Sequence, residues 1–303
     1  MRIRKMCQEP LVSVIIPTYN RASFLVEAIG SVLAQTYSNL EVIVVDDGSS
    51  DGTMAAVEAI ASRTARPVRY CWQHNQGASA ARNMGLSMAS GTFTAFCDSD
   101  DLWLPQKVEK QVAFLDENGS CDVVLCDLQP FGSSDAGWDG IPDLDIRAEV
   151  ILDLLFQRQF ASLVAALVRK EVFARVGGFV SGLEPSEDYD MFLRMAVGHR
   201  FGLIHERLAM FRMHEGKMTR RRTAFMQRYR TLRRFLRRNG RLVSRGTVRT
   251  RMLQVVTGIA DSWLRIGRPG EALRYILESM DYGVPSAREV KNAVKALSRL
   301  VVS

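Results

Sequence analysis

The sequence predicts an α/β fold, a mostly parallel sheet flanked by helices, with a helical extension at its C-terminal end. Three observations predict it. Short continuous apolar runs recur through the first half of the chain, the pattern of strands covered on both faces. Segments with helical apolar spacing alternate with those runs. Beyond about Arg220 the strand-like runs stop and helical spacing alone continues.

Residues 11–17, LVSVIIP, form the first buried strand. Phe24, Leu25, Ala28, Ile29, Val32 and Leu33 follow at helical spacing. Residues 41–46 are a second strand and residues 53–62 an alanine-rich helix. A third strand over 68–73, a helix over 78–88 and a fourth strand over 93–97 come next. A helix over 105–118 leads to a fifth strand over 122–127. Residues 131–145, rich in Gly, Ser, Asp and Pro, read as a loop, and 161–168 as a further strand. A loop over 180–185 opens a helix over about 187–196. In the last part, Phe225, Tyr229, Leu232, Phe235 and Leu236 mark one face of an arginine-rich helix. Ile259, Trp263, Ile266, Ala272, Tyr275 and Ile276 indicate a helix-turn-helix around residues 267–270. In such a sheet, ligands bind beyond the carboxyl ends of the strands, so the chemistry is expected there.

A chain of 303 residues, 47% hydrophobic, can bury one large domain or a domain with a smaller appendage. No window of about eighteen residues is apolar and uncharged, so no transmembrane helix is expected. Glu9 and Pro10 separate the basic start from the first apolar run, which argues against a signal peptide. The five cysteines are odd in number, lack a CxxC pair and lie partly in apolar runs. They point to a reducing, cytoplasmic compartment. The net charge of +7 is unevenly divided. From Gly216 onward, 21 Lys and Arg face 5 Asp and Glu, a net of +16, against −9 before it. The expected division is a catalytic domain over 1–215 and a basic helical region over 216–303.

Two acidic clusters follow strands. In Val45-Asp-Asp-Gly-Ser-Ser-Asp-Gly-Thr53 the Ser and Asp residues suit helix capping, and the adjacent carboxylates suit hydrogen bonding to a nucleobase or ribose. In Cys97-Asp-Ser-Asp-Asp101, three carboxylates within four residues repel one another unless a positive group compensates. A divalent metal on a diphosphate would do so, and a solvated turn capping the next helix is the other reading.

These clusters occur in order with Val12-Ser-Val-Ile-Ile-Pro-Thr-Tyr-Asn20 and Asn75-Gln-Gly-Ala-Ser-Ala-Ala-Arg-Asn83. Together they resemble the family 2 glycosyltransferases, over roughly residues 11–215. The resemblance implies a GT-A, Rossmann-like fold in which about 11–127 bind the nucleotide sugar and about 128–215 supply the acceptor side and base. It implies that Tyr19 stacks near the donor base, Asp47 binds the base, Arg82 faces the nucleotide and Pro17 makes backbone contact. Asp98 would serve the ribose and metal region, and Asp100 would be the main ligand of Mn²⁺ or Mg²⁺.

Two further segments extend it. Ser186-Glu-Asp-Tyr-Asp190 begins a helix, where carboxylates are favoured by capping and by the helix dipole. A carboxylate held there can also take a proton from an attacking hydroxyl. The resemblance assigns the base to Asp188 and the acceptor side to Glu187. In Phe211-Arg-Met-His214 the resemblance brings His214 to the metal or diphosphate, with Phe211 where the family often has Tyr.

The implied activity is inverting transfer of a sugar from a nucleoside-diphosphate sugar, UDP favoured, to an acceptor hydroxyl. Cell-surface polysaccharide or lipopolysaccharide synthesis is the implied setting, with a glycan or lipid-linked acceptor. A nucleotidyltransferase would need a Gly-rich phosphate loop where Pro17-Thr-Tyr-Asn-Arg21 stands, and a dehydrogenase a GxGxxG after the first strand. A non-catalytic, donor-binding or scaffolding paralogue is the remaining alternative. The basic helices have three readings: a solvated face, attachment to the anionic inner face of a membrane, or, least favoured, nucleic acid.

Overall fold

A computed structural model describes residues 9–132, 140–142, 148–213, 224–282 and 291. The chain divides into two compact units. The first comprises Met1–Ala148, Phe160–Gly182 and Met195–Glu215, and the second Glu149–Gln159, Leu183–Arg194 and Gly216–Ser303.

The first unit is built on strands β1 (Val12–Thr18), β2 (Leu40–Asp46), β3 (Val68–Trp72) and β4 (Phe93–Phe96). Helices α1 (Ala22–Leu33), α2 (Thr53–Ala61) and α3 (Ala78–Met88) connect them. All seven residues of β1 and of β2 are buried, in keeping with the apolar stretches at their centres. After β4 come the two-residue β5 (Leu102–Trp103), α4 (Lys107–Glu117), β6 (Val123–Gly132), α5 (Ala148–Gln157), β7 (Ala166–Arg169), α6 (Lys170–Val176) and β8 (Phe201–Met213). The eight strands form one sheet in the order β3-β2-β1-β4-β7-β6-β8-β5. β1, β2, β3 and β4 pair in parallel, as do β6 and β8, while β7 runs antiparallel to β4 and β6. The chain leaves β1 toward β2 and β3 on one side and returns to β4 on the other. This reversal opens a crevice at the strands' carboxyl ends.

Close packing holds α3 on this sheet. A Cβ on Gly85 would overlap Ile15 Cγ2, so only glycine lets the helix sit this near β1. At the amino ends of the strands, buried Glu41 accepts from Ser13 Oγ (2.6 Å) and from Ser90 N and Oγ. Burial alone would raise this carboxyl, but the Ser13 and Ser90 hydrogen bonds outweigh it and hold it below the ordinary value. On α4, the fully buried Lys107 donates to Gln111 Oε1 (2.9 Å) and the Ala166 carbonyl (3.4 Å) and lies 3.9 Å from the Trp103 ring centre.

Several elements differ from the sequence reading, which lacks β5 and α6 altogether. Residues 163–165 form a 3-10 turn, and strand structure is confined to β7. β6 continues to Gly132, into the expected loop, and most of that loop lies outside the described residues. β8 carries exposed His205, Glu206 and Arg207 at its centre, which interrupt the apolar run that would mark a strand. The run Ile151–Phe156 in α5 is nearly continuous and so carries no clear period.

In the second unit, α5 and α7 (Glu187–Met195, most of which falls here) join α8 (Ala224–Asn239), α9 (Arg245–Arg265) and α10 (Pro269–Ser279). Tyr229, Leu232 and Phe235 are the buried face of α8, and Phe235 meets Phe156 of α5 with ring centres 6.2 Å apart. Ser244 caps α9 by accepting from Thr247 N (3.1 Å). No helix among the described residues is long and apolar enough to cross a membrane.

Gly85→Ala should cost about 1–3 kcal/mol in urea unfolding, because the added carbon forces α3 away from Ile15. A second expectation concerns pH. Burial depresses the Lys107 ammonium from its ordinary 10.5 to about 8. The unfolded chain therefore binds this proton more tightly than the folded one between those values. The stability of wild type relative to Lys107→Met should rise from pH 8 to 10.5, by at most about 1.4 kcal/mol per pH unit, and be flat below that window. Urea titrations of both proteins, begun about two pH units below the window and carried through it, would read the difference.

Candidate active site

The carboxyl ends of β2 and β4 carry the acidic clusters, and the end of β1 lies between them in the sheet. β2 ends at Asp46, which is buried and accepts from Ser49 N (2.8 Å) and the Tyr70 hydroxyl (2.7 Å). Asp47, also buried, accepts from Gln73 Nε2 (2.7 Å), Gln76 N (2.9 Å) and Gly77 N (2.8 Å). Its carboxylate thus sits at the amino end of α3, where backbone N–H groups lack helical partners. Gly48 turns the chain between these contacts with a φ of 85°, and a Cβ there would meet Asn75 N at 3.0 Å. Asp51 serves two helices at once, accepting from Ala22 N at the start of α1 (3.0 Å) and Thr53 N at the start of α2 (3.1 Å).

β1 leads through buried Pro17 to Tyr19, which is 48% exposed. Trp72, at the end of β3 and in register with Asp46, is equally exposed. Two aromatic faces are therefore open along this edge, of which the sequence marks Tyr19 alone. Asn20 adopts a φ of 49° and locks the loop to its neighbour, its N–H donating to Ser49 Oγ and its Oδ1 accepting from Ser50 N.

Beyond β4, Asp98, Asp100 and Asp101 occupy one turn, closed by Asp101 N donating to the Asp98 carbonyl (3.0 Å). Each is met by an arginine. Arg82 of α3 donates from Nη2 to Asp98 Oδ1 (2.8 Å). Arg21 donates from Nη1 to Asp100 Oδ2 (2.5 Å). Arg212 of β8 donates its backbone N–H to Asp101 Oδ1 (2.9 Å) and its Nε to the Asp100 carbonyl (2.9 Å). The Arg212 guanidinium lies 4.7 Å from the Phe24 ring centre and 4.5 Å from that of Phe131, and pairs with Glu27. Sequence reasoning missed both Arg21 and Arg212. The available signal for Arg212 is its place two residues before His214, in a segment marked by the histidine alone. His214 itself lies outside the described residues.

Asp100 and Asp101 are buried, whereas the Asp98 side chain is 34% exposed. Carboxylate oxygens are hard donors and suit Mg²⁺ or Mn²⁺, which take one or two protein carboxylates and complete their shell with phosphate and water. Asp98 and Asp100 fit that pattern in kind, with one oxygen of each engaged by an arginine. Among the described residues no group of three His, Cys, Asp or Glu side chains converges to hold an ion by itself.

Asn83, next to Arg82, anchors the helix rather than the turn. It accepts from Phe179 N (2.7 Å) and donates to the Phe179 carbonyl (2.9 Å). Phe179 in turn lies under the Arg82 guanidinium, 5.6 Å away.

The second unit holds Glu187 and Asp188 at the start of α7. Glu187 is buried and Asp188 half-buried. Both Asp188 oxygens accept from Gln159 Nε2 at 3.3 Å, and Oδ1 also from Tyr189 N (2.6 Å). Asp190 is buried and pairs with Arg194 one turn on (2.7 Å).

The sequence model of the family described as glycosyl transferase family 2 matches residues 13–177. An uncharacterized glycosyltransferase of Rickettsia typhi is 32% identical over 214 residues, 69% of this chain and 66% of that protein's length. The glycosyltransferase GlyG of Streptococcus pneumoniae is 30% identical over 69% of this chain and 73% of its own. Against other Rickettsia relatives the match spans as little as 19% of their length. Among solved structures, TarS 1–349 of S. aureus in complex with UDP-GlcNAc superposes with a TM-score of 0.61 at 19% identity, covering 96% of this chain and 91% of that one. The mannosyltransferase PcManGT of Pyrobaculum calidifontis, in complex with GDP-Man and Mn²⁺, gives 0.58 at 20% identity over 96% and 81%. With the family model running from β1 to just past α6, more than half of its length, this chain belongs to glycosyl transferase family 2.

Proposed function

We propose that the protein is an inverting glycosyltransferase that transfers a sugar from a nucleoside-diphosphate sugar, UDP-linked in the first instance, to an acceptor hydroxyl in the synthesis of a cell-surface polysaccharide or lipopolysaccharide. The observation that carries this reading is the row of carboxylates and arginines at the carboxyl ends of β1, β2 and β4, beside two exposed aromatic rings. That array suits a base, a ribose and a diphosphate in succession. The two solved relatives hold UDP-GlcNAc and GDP-Man, both nucleotide sugars, which supports the donor class.

In this mechanism Tyr19 stacks on the base and the Pro17 backbone borders the nucleotide. Asp47 shapes the base site; three donors from 73–77 already hold its carboxylate in place. Arg82 steadies Asp98 at the ribose end. Asp98 and Asp100, with His214, would hold a divalent cation, and when bound that ion would supply positive charge against the leaving diphosphate. Asp188 takes the proton of the acceptor hydroxyl as that oxygen attacks the anomeric carbon, so the bond to the diphosphate breaks as the new one forms and the configuration inverts. Glu187 borders the acceptor. No covalent intermediate is needed, and the thiols take no part. Burial pushes Cys121 and Cys126 up to about 11, and the four described cysteines are all unpaired, which suits a reducing cytoplasm. The exposed Arg230, Arg237, Arg238 and Arg241, with Leu242 at 55% exposure, suit attachment to an anionic membrane surface, where lipid-linked acceptors lie.

Calorimetry with UDP should show binding that strengthens with Mn²⁺, and Asp100→Ala should remove that gain, weakening binding at least about tenfold, with the loss of one charged ligand worth about 1.4 kcal/mol or more. Absence of nucleotide binding by the folded protein, across UDP, GDP and TDP, would sink the proposal. Asp188→Asn should keep donor binding unchanged and lower kcat by roughly 10²–10⁴. Transfer at the wild-type rate in that variant would move the base elsewhere.

A further inference from the structure

The second unit contains two guanidiniums that its own fold leaves uncompensated among the described residues. Arg228 lies on α8 and Arg251 on α9. Arg251 is one turn beyond Thr247, whose hydroxyl donates to Asp153 Oδ2 (3.2 Å) and accepts from Gln157 Nε2 (3.2 Å), so this face of α9 turns toward α5. Arg251 hydrogen-bonds the hydroxyl of Tyr189 on α7, and that hydroxyl reaches the carbonyls of Leu155 and Phe156 at 3.0 Å each. Arg228 donates from Nη2 to Gln159 Oε1 (3.4 Å), and Gln159 holds both oxygens of Asp188.

The charges do not balance. Burial and the neighbouring Arg251 depress the Arg228 guanidinium, and Tyr189 and Asp188 only partly offset them. Among the described residues neither arginine forms an ion pair with a carboxylate. The Nε of each is buried without an acceptor there. Two like charges and two unmade hydrogen bonds cost stability, since a buried donor loses its hydration and gains nothing in return. Such a cluster is poor structural design and good anion chemistry. Arg228, Arg251, Gln159 and Asp188 are each only half-buried, so the cluster reaches solvent.

We propose that Arg228 and Arg251 form a subsite for a phosphate group of the acceptor, close to Asp188. The arginine fork matches two phosphate oxygens, and a dianion would answer both guanidiniums. The acceptor would then be a phosphorylated glycan or a phosphate-linked carrier, with its reacting hydroxyl near the carboxylate of α7. The assignment rests on the reading of Asp188 as base, which the Asp188→Asn assay tests separately.

The probe is inorganic phosphate, titrated calorimetrically or by NMR into protein already saturated with UDP and Mg²⁺, so that the donor's own diphosphate site is filled. One phosphate should bind to wild type. Arg251→Gln should weaken it at least tenfold and Arg228→Gln similarly. Arg251→Lys, which keeps the charge and loses the fork, should weaken it less. Asp188→Asn should retain or tighten phosphate binding, because a negative charge beside the subsite is removed, whatever becomes of transfer. UDP affinity should be unchanged in every variant, with thermal unfolding confirming that each is folded. Phosphate binding in folded Arg251→Gln equal to wild type, or none in wild type, would overturn the proposal. So would an equal loss of UDP binding, which would assign the arginines to the donor's diphosphate.

Discussion

Three carboxylates have to be held within four residues at the end of the buried strand β4, and the site end of the first unit is organised around their mutual repulsion. Three cations reach the turn from distant points in the chain: Arg82 from α3, Arg21 from the loop after β1 and Arg212 from β8. Each contact also closes the fold. Arg212 ties the far strand β8 to the turn and, through Glu27, to α1. Arg82 ties α3 to it, and Asn83 beside it fixes the same helix to Phe179. A ligand that brings positive charge to Asp98 or Asp100 meets carboxylates that already hold an arginine on one oxygen each.

The second acidic cluster solves a different problem. Asp46, Asp47 and Asp51 are committed largely to N–H and O–H donors within the fold. Asp51 draws together the first turns of α1 and α2, and Asp47 sits at the start of α3. The three helices that follow the parallel strands thereby present their amino ends around one set of carboxylates. A carboxylate has about four acceptor positions, so three donors on Asp47 leave room for little more than one further hydrogen bond.

In the second unit the contrast is between saturation and excess. Tyr189, Asp190 and Arg194 on α7 find partners one turn away or on α5, as buried polar groups require. The Nε groups of Arg228 and Arg251 find no acceptor among the described residues, although both arginines stand on helices. That difference separates residues that build α7 from residues the helices merely present.

The parallel strands β1, β2, β3 and β4 and their helices were legible because each is short, apolar and repeated with period, and local signals suffice for such elements. Asp47, Asp98 and Asp100 stood out as clustered carboxylates at strand ends, whereas Arg82 and Asp188 were marked by the resemblance to the family 2 glycosyltransferases. β8 was hidden by its polar centre, β5 by its two-residue length, and α5 by an apolar run without period. The sequence by itself determined the parallel half-sheet, the acidic strand ends and the basic helices, since all three follow from residue type and near-neighbour spacing. Only the tertiary structure decided which cation meets which carboxylate, and that α5 and α7 join the basic helices rather than the sheet. Those outcomes depend on pairings across tens to hundreds of residues, and a local pattern carries no information about which distant side chain will arrive.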